Sequence, residues 1–188
     1  MLETTNHQFK YSDFYVPEWE LEHLFIGTFN PEFGQKVPYY YGRPSNYFWR
    51  IITDIFVREI SPEDNELFSK LRELKIGCID LVDSLTYNKQ EYHNMINGEG
   101  YSDNVLFKKK NNIEKSYNTQ KIIDLIKINN LDKVYFTNKG DVFIKEQKEE
   151  MKLIEKFCTV IYLSSPSQSN VHRKSLDSVI DDWKTNIF

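Results

Sequence analysis

A chain of 188 residues that is 40% hydrophobic and 15% aromatic fits one domain, with a core large enough to fold without staples. No apolar run approaches the ~20 residues of a membrane span, and the first ten residues, MLETTNHQFK, hold no apolar signal core. The formal net charge of −4 argues against a broad nucleic-acid surface, because phosphate neutralisation is the main source of non-specific binding.

Any basic footprint is therefore local. Val105 to Lys121 carries five lysines, Lys108, Lys109 and Lys110 among them, against Glu114, and His172-Arg173-Lys174 adds a second basic point. Cys78 and Cys158 both lie inside apolar runs, which reads as two buried thiols in a reducing, cytoplasmic compartment rather than a disulfide. The four histidines are scattered, so no Cys/His spacing suggests a metal, and neither GxGxxG nor GxxxxGK[ST] occurs to hold a cofactor phosphate. A monomer without cofactor or metal is expected.

In chain order, the apolar run Leu24 to Ile26 reads as a strand entering the turn Gly27-Thr28-Phe29-Asn30-Pro31. A loop with Tyr39, Tyr40 and Tyr41 follows, and Ser45-Asn46 opens a helix with Phe48, Ile51, Ile52, Ile55 and Phe56 on one face. Ser61-Pro62-Glu63-Asp64 has the cap, first-turn proline and early acids of a helix start, continued by Leu67, Phe68, Leu71 and Leu74. Lys75 to Val82 is a buried strand. Asn118 or Thr119 caps a helix carrying Ile122, Ile123, Leu125 and Ile126. Lys133 to Thr137 and Cys158 to Leu163 are strands, and Ser175 to Asn186 is a last amphipathic helix. Residues 88–117 are polar and lack clear periodicity, so they read as an irregular insertion or lid.

Alternating strands and helices imply an α/β fold of three layers, α/β/α, around a mainly parallel central sheet. Ligands bind such sheets at the carboxyl ends of the strands. Gly27–Pro31, Asp83–Tyr87, Thr137–Gly140 and Ser164–Asn170 all follow strands and should meet at one rim.

Each segment offers chemistry as well as structure. Three tyrosines in a Pro/Gly-flanked loop are not all easily buried, so at least one ring should face a ligand; a base stacked on a ring gains ~1–3 kcal/mol. Asn46 is a helix cap or, through its carboxamide, a partner for the N–H/C=O edge of a nucleobase. Ser164 to Asn170 carries four serines around a proline, which suits a phosphodiester or an ordinary loop. Asp80 and Asp83 end a buried strand, each as a general base or a polar anchor. A serine nucleophile is not indicated, because no GxSxG turn is present.

The ordered set Gly27-Thr28-Phe29-Asn30-Pro31, Tyr40-Tyr41-Gly42-Arg43-Pro44-Ser45-Asn46-Tyr47-Phe48-Trp49, Gly77-Cys78-Ile79-Asp80-Leu81-Val82-Asp83 and Pro166-Ser167-Gln168-Ser169-Asn170 resembles the uracil-DNA glycosylase superfamily. Its nearest branches look like the mismatch-specific uracil/thymine and the hypoxanthine-DNA glycosylases, over residues 24–183. Glu32 departs from the glycine that relatives often carry. Ser165 stands where they carry His, Asn or Leu.

The resemblance implies a monofunctional DNA glycosylase that flips a deaminated base, uracil or hypoxanthine, and hydrolyses its N-glycosidic bond. Asn30 would place the water, and Asn46 would read the base edge or act as the catalytic asparagine. Phe29 and Tyr41 would sandwich the ring, in a pocket completed by Gly27, Thr28, Tyr40 and Asp83. Ser165, Ser167, Gln168, Ser169 and Asn170, with His172, Arg173, Lys108, Lys109 and Lys110, would hold the DNA. A non-catalytic DNA- or modified-base-binding protein of the same fold, or a nucleoside or nucleotide hydrolase, are the alternatives.

Overall fold

The computed structural model describes residues 1–98 and 100–188. In chain order the elements are β1 (Leu2–Asn6), β2 (His23–Gly27), α1 (Phe48–Phe56), α2 (Leu67–Glu73), β3 (Ile76–Asp80) and β4 (Val82–Asn88). Next come α3 (Lys89–Ile96), α4 (Asn104–Phe107), β5 (Ile113–Tyr117), α5 (Thr119–Asn129), β6 (Lys133–Phe136), α6 (Lys145–Ile154), β7 (Thr159–Tyr162), α7 (Gln168–Lys174) and α8 (Leu176–Ile187).

Four strands form an all-parallel sheet in the order β3-β2-β6-β7. Its inner strands are apolar along most of their length, as strands covered on both faces must be. The pleat sends Phe25 of β2 to one side, where it packs with Phe48, Ile51 and Ile52 of α1 and Trp183 of α8. Leu24 and Ile26 point the other way, into a core with Ile122 and Ile126 of α5 and Met151 of α6. Helices thus flank the parallel sheet, compatible with three α/β/α layers.

A second sheet departs from the sequence expectation. β4 starts one residue after β3, pairs antiparallel with β1 and β5, and builds the order β1-β4-β5. Residues 83–87 are therefore strand, not a rim loop: their alternating Val82, Leu85 and Tyr87 enter a third core with Ile96, Leu106 and Ile113. The segment 88–117 is correspondingly not irregular. It contains α3, α4 and β5 and buries its own apolar residues in that core.

Other boundaries shift for local reasons. Residues 61–66 form turns, with Lys70 bonded to Asp64 and to the Glu59 carbonyl, and the helix begins only at Leu67. The last helix, α8, occupies the expected span, with the Ser175 hydroxyl accepting the Ser178 N–H at its start, but the segment expected as a loop up to Asn170 is already helical from Gln168, and Ser175, at φ 77°, separates this α7 from α8. Cys78 is buried and Cys158 half-buried, and both are free thiols. No helix among the described residues is long and apolar enough to cross a membrane.

Trp183 links the two ends of this arrangement. Its ring lies parallel to Phe25 at 5.6 Å and its indole N–H donates to the Ser164 carbonyl at 2.8 Å, so the loop after β7 is tied to the core. Trp183→Ala should lower unfolding free energy by ~3–5 kcal/mol, the usual cost of emptying a buried indole site, measured by urea denaturation. A loss below ~1 kcal/mol would contradict this packing role.

Candidate functional site

A cleft of about 700 Å³ opens over the carboxyl ends of β2, β3 and β6. Thr28, Phe29 and Asn30 follow β2, Asp80 ends β3, Thr137 to Lys139 follow β6, and Ser164 to Asn170 follow β7; all line it. Three of the four loops expected at one rim do converge. The fourth position, Asp83, does not reach the cleft.

The floor is set by Gly27. A side chain there would place its Cβ 2.1 Å from Asp80 Oδ1 and 2.8 Å from the Tyr41 hydroxyl, so only glycine lets both groups approach the strand. Asp80 is almost buried and its Oδ2 lies 2.8 Å from His7 Nε2. His7 Nδ1 accepts the Phe9 N–H at 3.1 Å. An accepting ring nitrogen carries no proton, so His7 donates from Nε2 to Asp80. Asp80 Oδ1 has no hydrogen bond among the described residues.

Tyr41 forms the adjoining wall. Its ring stacks on Phe48 at 4.0 Å with 8° between planes. Thr137 donates its hydroxyl to the Ile26 carbonyl at 3.3 Å, which leaves Thr137 Oγ1 to accept from the Tyr41 hydroxyl at 3.0 Å. Burial and, after it, the charge of Asp80 push the Tyr41 phenol well above its ordinary range, so it stays a neutral donor. Its backbone is left-handed, φ 57°, a strained state for a non-glycine residue that costs about 1–3 kcal/mol and tends to cluster at functional sites. Tyr39 and Tyr40 are buried. Tyr40 lines the cleft from below while its hydroxyl donates to the Tyr15 carbonyl at 2.8 Å.

Asn30 is clamped at both ends. Its Nδ2 donates to Gln8 Oε1 at 2.7 Å and its Oδ1 accepts from Arg43 Nη2 at 3.0 Å. Arg43 Nη1 also donates to the Tyr101 carbonyl at 3.0 Å, which fastens the 88–117 segment as a wall. From that wall Tyr101, Asp103 and Phe107 face the cleft. Asn46 Oδ1 accepts the Phe48 N–H at 2.9 Å, a helix-start bond. Its Nδ2 has no hydrogen bond among the described residues. Asn46 also bridges Ser167, and Tyr47 N–H donates to the Pro166 carbonyl at 2.9 Å. The asparagine loop and the Pro-Ser loop are thereby one backbone unit.

The Pro-Ser loop presents a chain of hydroxyls, Ser165 to Ser167 at 3.1 Å and Ser167 to Ser169 at 3.4 Å. Gln168 is exposed at the cleft. Asn170 is buried, donates to the Ser165 carbonyl at 2.7 Å and receives Arg173 at 3.0 Å. Arg43, Lys139, Arg173 and Lys174 all border the cleft.

Several expected site residues stand elsewhere. Asp83 is a buried anchor: burial pushes its carboxyl up, but hydrogen bonds from Lys10, Tyr15 and Lys121 outweigh this and hold it below the usual range. Lys10 is 2.7 Å and Tyr15 2.8 Å away. His172, Lys108, Lys109 and Lys110 are exposed but outside the cleft. Conversely, His7 and Asp103 carry no local sequence signal, whereas Thr137 and Lys139 belong to the Thr137–Gly140 loop expected at the rim. Asp80 carries a signal, because a carboxylate in a strand buried at all five positions demands a donor. Among the described residues no cluster of three or more His, Cys, Asp or Glu is placed to hold a metal ion. Compared with known proteins, the chain matches no family model and no curated sequence.

Asp103 supplies a pH test. Burial, and after it the charge of Asp80, push its carboxyl up to about 6, with Arg43 offsetting part. The folded state then binds this proton more tightly than the unfolded chain, so stability is greatest below the ordinary carboxylate range and falls as pH rises through about 4 to 6. Asp103→Asn should raise Tm at about pH 7.5 and leave it nearly unchanged at about pH 4. An equal Tm difference at both pH values would remove the link.

Proposed function

We propose that this protein is a DNA glycosylase of uracil-DNA glycosylase-like fold, which hydrolyses the N-glycosidic bond of a deaminated base flipped into the cleft. The observation that supports this best is the meeting of three distant sequence segments, Gly27–Pro31, Asn46 and Pro166–Asn170, around one cavity. They belong to three of the four segments on which the sequence resemblance rests; the fourth, Gly77 to Asp83, reaches the cavity through Asp80. The volume falls in the ~300–1,000 Å³ range of small-molecule sites, enough for a base and its sugar. Of the two departures from the family pattern, Glu32 is not among the residues lining the cleft and Ser165 is.

In this reading Phe29 and Tyr41 flank the base, and the free Nδ2 of Asn46 donates to its edge or to the charge that develops on it. Asn30 retains one lone pair on Oδ1 and one hydrogen on Nδ2 beyond its bonds to Arg43 and Gln8, which suits a water held at a fixed position. The hydroxyls of Ser165, Ser167 and Ser169, with Gln168 and Arg173, lie where the DNA backbone would pass. Among the described residues the lysines that line the cleft, Lys139 and Lys174, lie on the side of the β6 and β7 loops rather than beside Gly27 and Asp80, which suits a reaction that ends at the abasic site without strand cleavage.

The test is single-turnover excision on oligonucleotides carrying uracil, hypoxanthine, xanthine or a thymine mismatch. Asn30→Ala and Asn46→Ala should each slow excision by ~10²-fold or more, the usual worth of a water-orienting or charge-stabilising group. Full activity in both variants would reduce these residues to turn and cap. Cleavage of free nucleosides with intact DNA would favour the nucleoside hydrolase instead.

Binding should also divide by position. Each neutralised phosphate contributes ~0.9 to the slope of log affinity against log salt, so Arg173→Ala at the cleft mouth should flatten the slope by about that amount. Neutralising Lys108, Lys109 and Lys110 together should flatten it further without changing which base is excised. An unchanged slope in the triple variant would make that run solvated surface.

A further inference from the structure

We propose that Asp80 is the general base of the excision step and that His7 is the residue that positions it. This rests on the glycosylase reading above and assigns the proton acceptor within that site.

The two carboxylates that flank the β3–β4 junction have opposite surroundings. Asp83 receives Lys10, Lys121 and the Tyr15 hydroxyl, so its charge is fully engaged away from the cleft. Among the described residues Asp80 has a single side-chain partner, the Nε2–H of His7 at 2.8 Å. That bond occupies Oδ2 and fixes the carboxylate plane. Oδ1 is left on the cleft side, over the space that Gly27 keeps open, with a Cβ position only 2.1 Å away. His7 is itself 1% exposed and held by the Phe9 N–H, so neither partner is free to turn. The other ionisable groups around Asp80 are Asp103 and the Tyr101 phenol from the 88–117 wall, the phenols of Tyr15, Tyr40 and Tyr41, and the buried Cys78 thiol of its own strand. Arg43 is nearby, with its two terminal nitrogens donated to Asn30 and Tyr101. No lysine or arginine pairs with Asp80 among the described salt bridges.

The step balances with water alone. A water bound at Oδ1 passes a proton to the carboxylate as its oxygen bonds to the sugar C1′. The C1′–N bond breaks, its electron pair leaves with the base, and the base takes a proton from solvent.

The experiment is single-turnover excision by the full chain, across about pH 5 to 9, beside DNA-binding and thermal melts. In Asp80→Asn the amide oxygen can still accept from His7, so folding is retained. Excision should fall by ~10²–10⁴-fold with DNA affinity within about threefold. In Asp80→Ala, added formate should restore part of the rate by supplying the missing carboxylate. His7→Phe leaves the carboxylate plane unfixed, so excision should fall by ~10-fold or more with DNA affinity within about threefold. His7→Gln, which keeps an N–H donor, should recover most of the rate. A purely structural His7 would lower the rate and the melting temperature together in both variants. If the unaltered protein excises a base and Asp80→Asn retains its rate within about threefold, Asp80 is not the base and the glycosylase reading stands. If Asp80→Asn melts early, absence of both formate rescue in Asp80→Ala and recovery in His7→Gln overturns the assignment. If the unaltered protein excises none of the four bases, both readings fall.

Discussion

A carboxylate at the end of a strand buried along its whole length has to be answered by donors from elsewhere in the chain. Asp80 is answered by His7, 73 positions earlier, and the local structure follows from bringing that histidine in. The segment after β1 runs beside the loop that follows β2. His7 bridges Pro31, Gln8 N–H donates to the Asn30 carbonyl at 2.8 Å, and Glu32 N–H donates to the Asn6 carbonyl at 2.9 Å. Hence the Gly27–Pro31 turn is a paired segment held on its outer side, while its inner side is left to the cleft. Such preorganisation is what a site needs when its groups must be placed to fractions of an ångström.

The same economy governs the opposite wall. Arg43 sits between Asn30 and the Tyr101 carbonyl, so its guanidinium fork joins the β2 loop, the aromatic loop and the 88–117 segment. A lysine would supply one point charge where this junction uses two directed donors. Asn46 and Tyr47 join the aromatic loop to the Pro-Ser loop through backbone pairing, and Trp183 joins that loop to the core. Side chains named for ligand contact in the sequence thus carry structural bonds as well. Substitutions at Asn30 or Asn46 therefore have to be read on chemistry and stability together.

The parallel sheet and its helices were legible because their signals are local. Leu24 to Ile26, Val134 to Phe136 and the face of α1 announce themselves by apolar runs and helical spacing. The second sheet was not. β4 opens Val-Asp-Ser, turn-forming residues that mask its alternation, and β5, IEKSY, buries only Ile113. Both strands are specified by cross-strand partners far away in sequence, which composition cannot reveal. α3 is weakly amphipathic, with only Ile96 buried, and it is held by Asn88 at its cap and by His93 on Glu3. For the site, the glycine, proline and asparagine punctuation located three walls of the cleft. Asp80 and Asp83 could not be told apart, and Asp80 rather than Asp83 lines the cleft, because a strand-end position does not say which side of the junction faces the cavity. That depends on where β4 leaves the parallel sheet.

Charge is layered through the cleft, and the layering bears on what can enter it. Lys139, Arg173 and Lys174 border it on the side of the β6 and β7 loops, whereas Asp80 and Asp103 share it with the β2 and insertion walls. Lys139 is partly committed to the Tyr162 carbonyl at 2.9 Å and to Asp182 at 3.7 Å, which leaves Arg173 and Lys174 as the more available cations. An anionic group is attracted to that basic border and repelled by Asp80 and by Asp103, whose carboxyl burial and then the charge of Asp80 push up. In the proposed reading the phosphodiesters of a strand stay along the serine and arginine border while one neutral base crosses to the acidic side, so the charged and the reacting parts of the ligand meet opposite walls of the cleft.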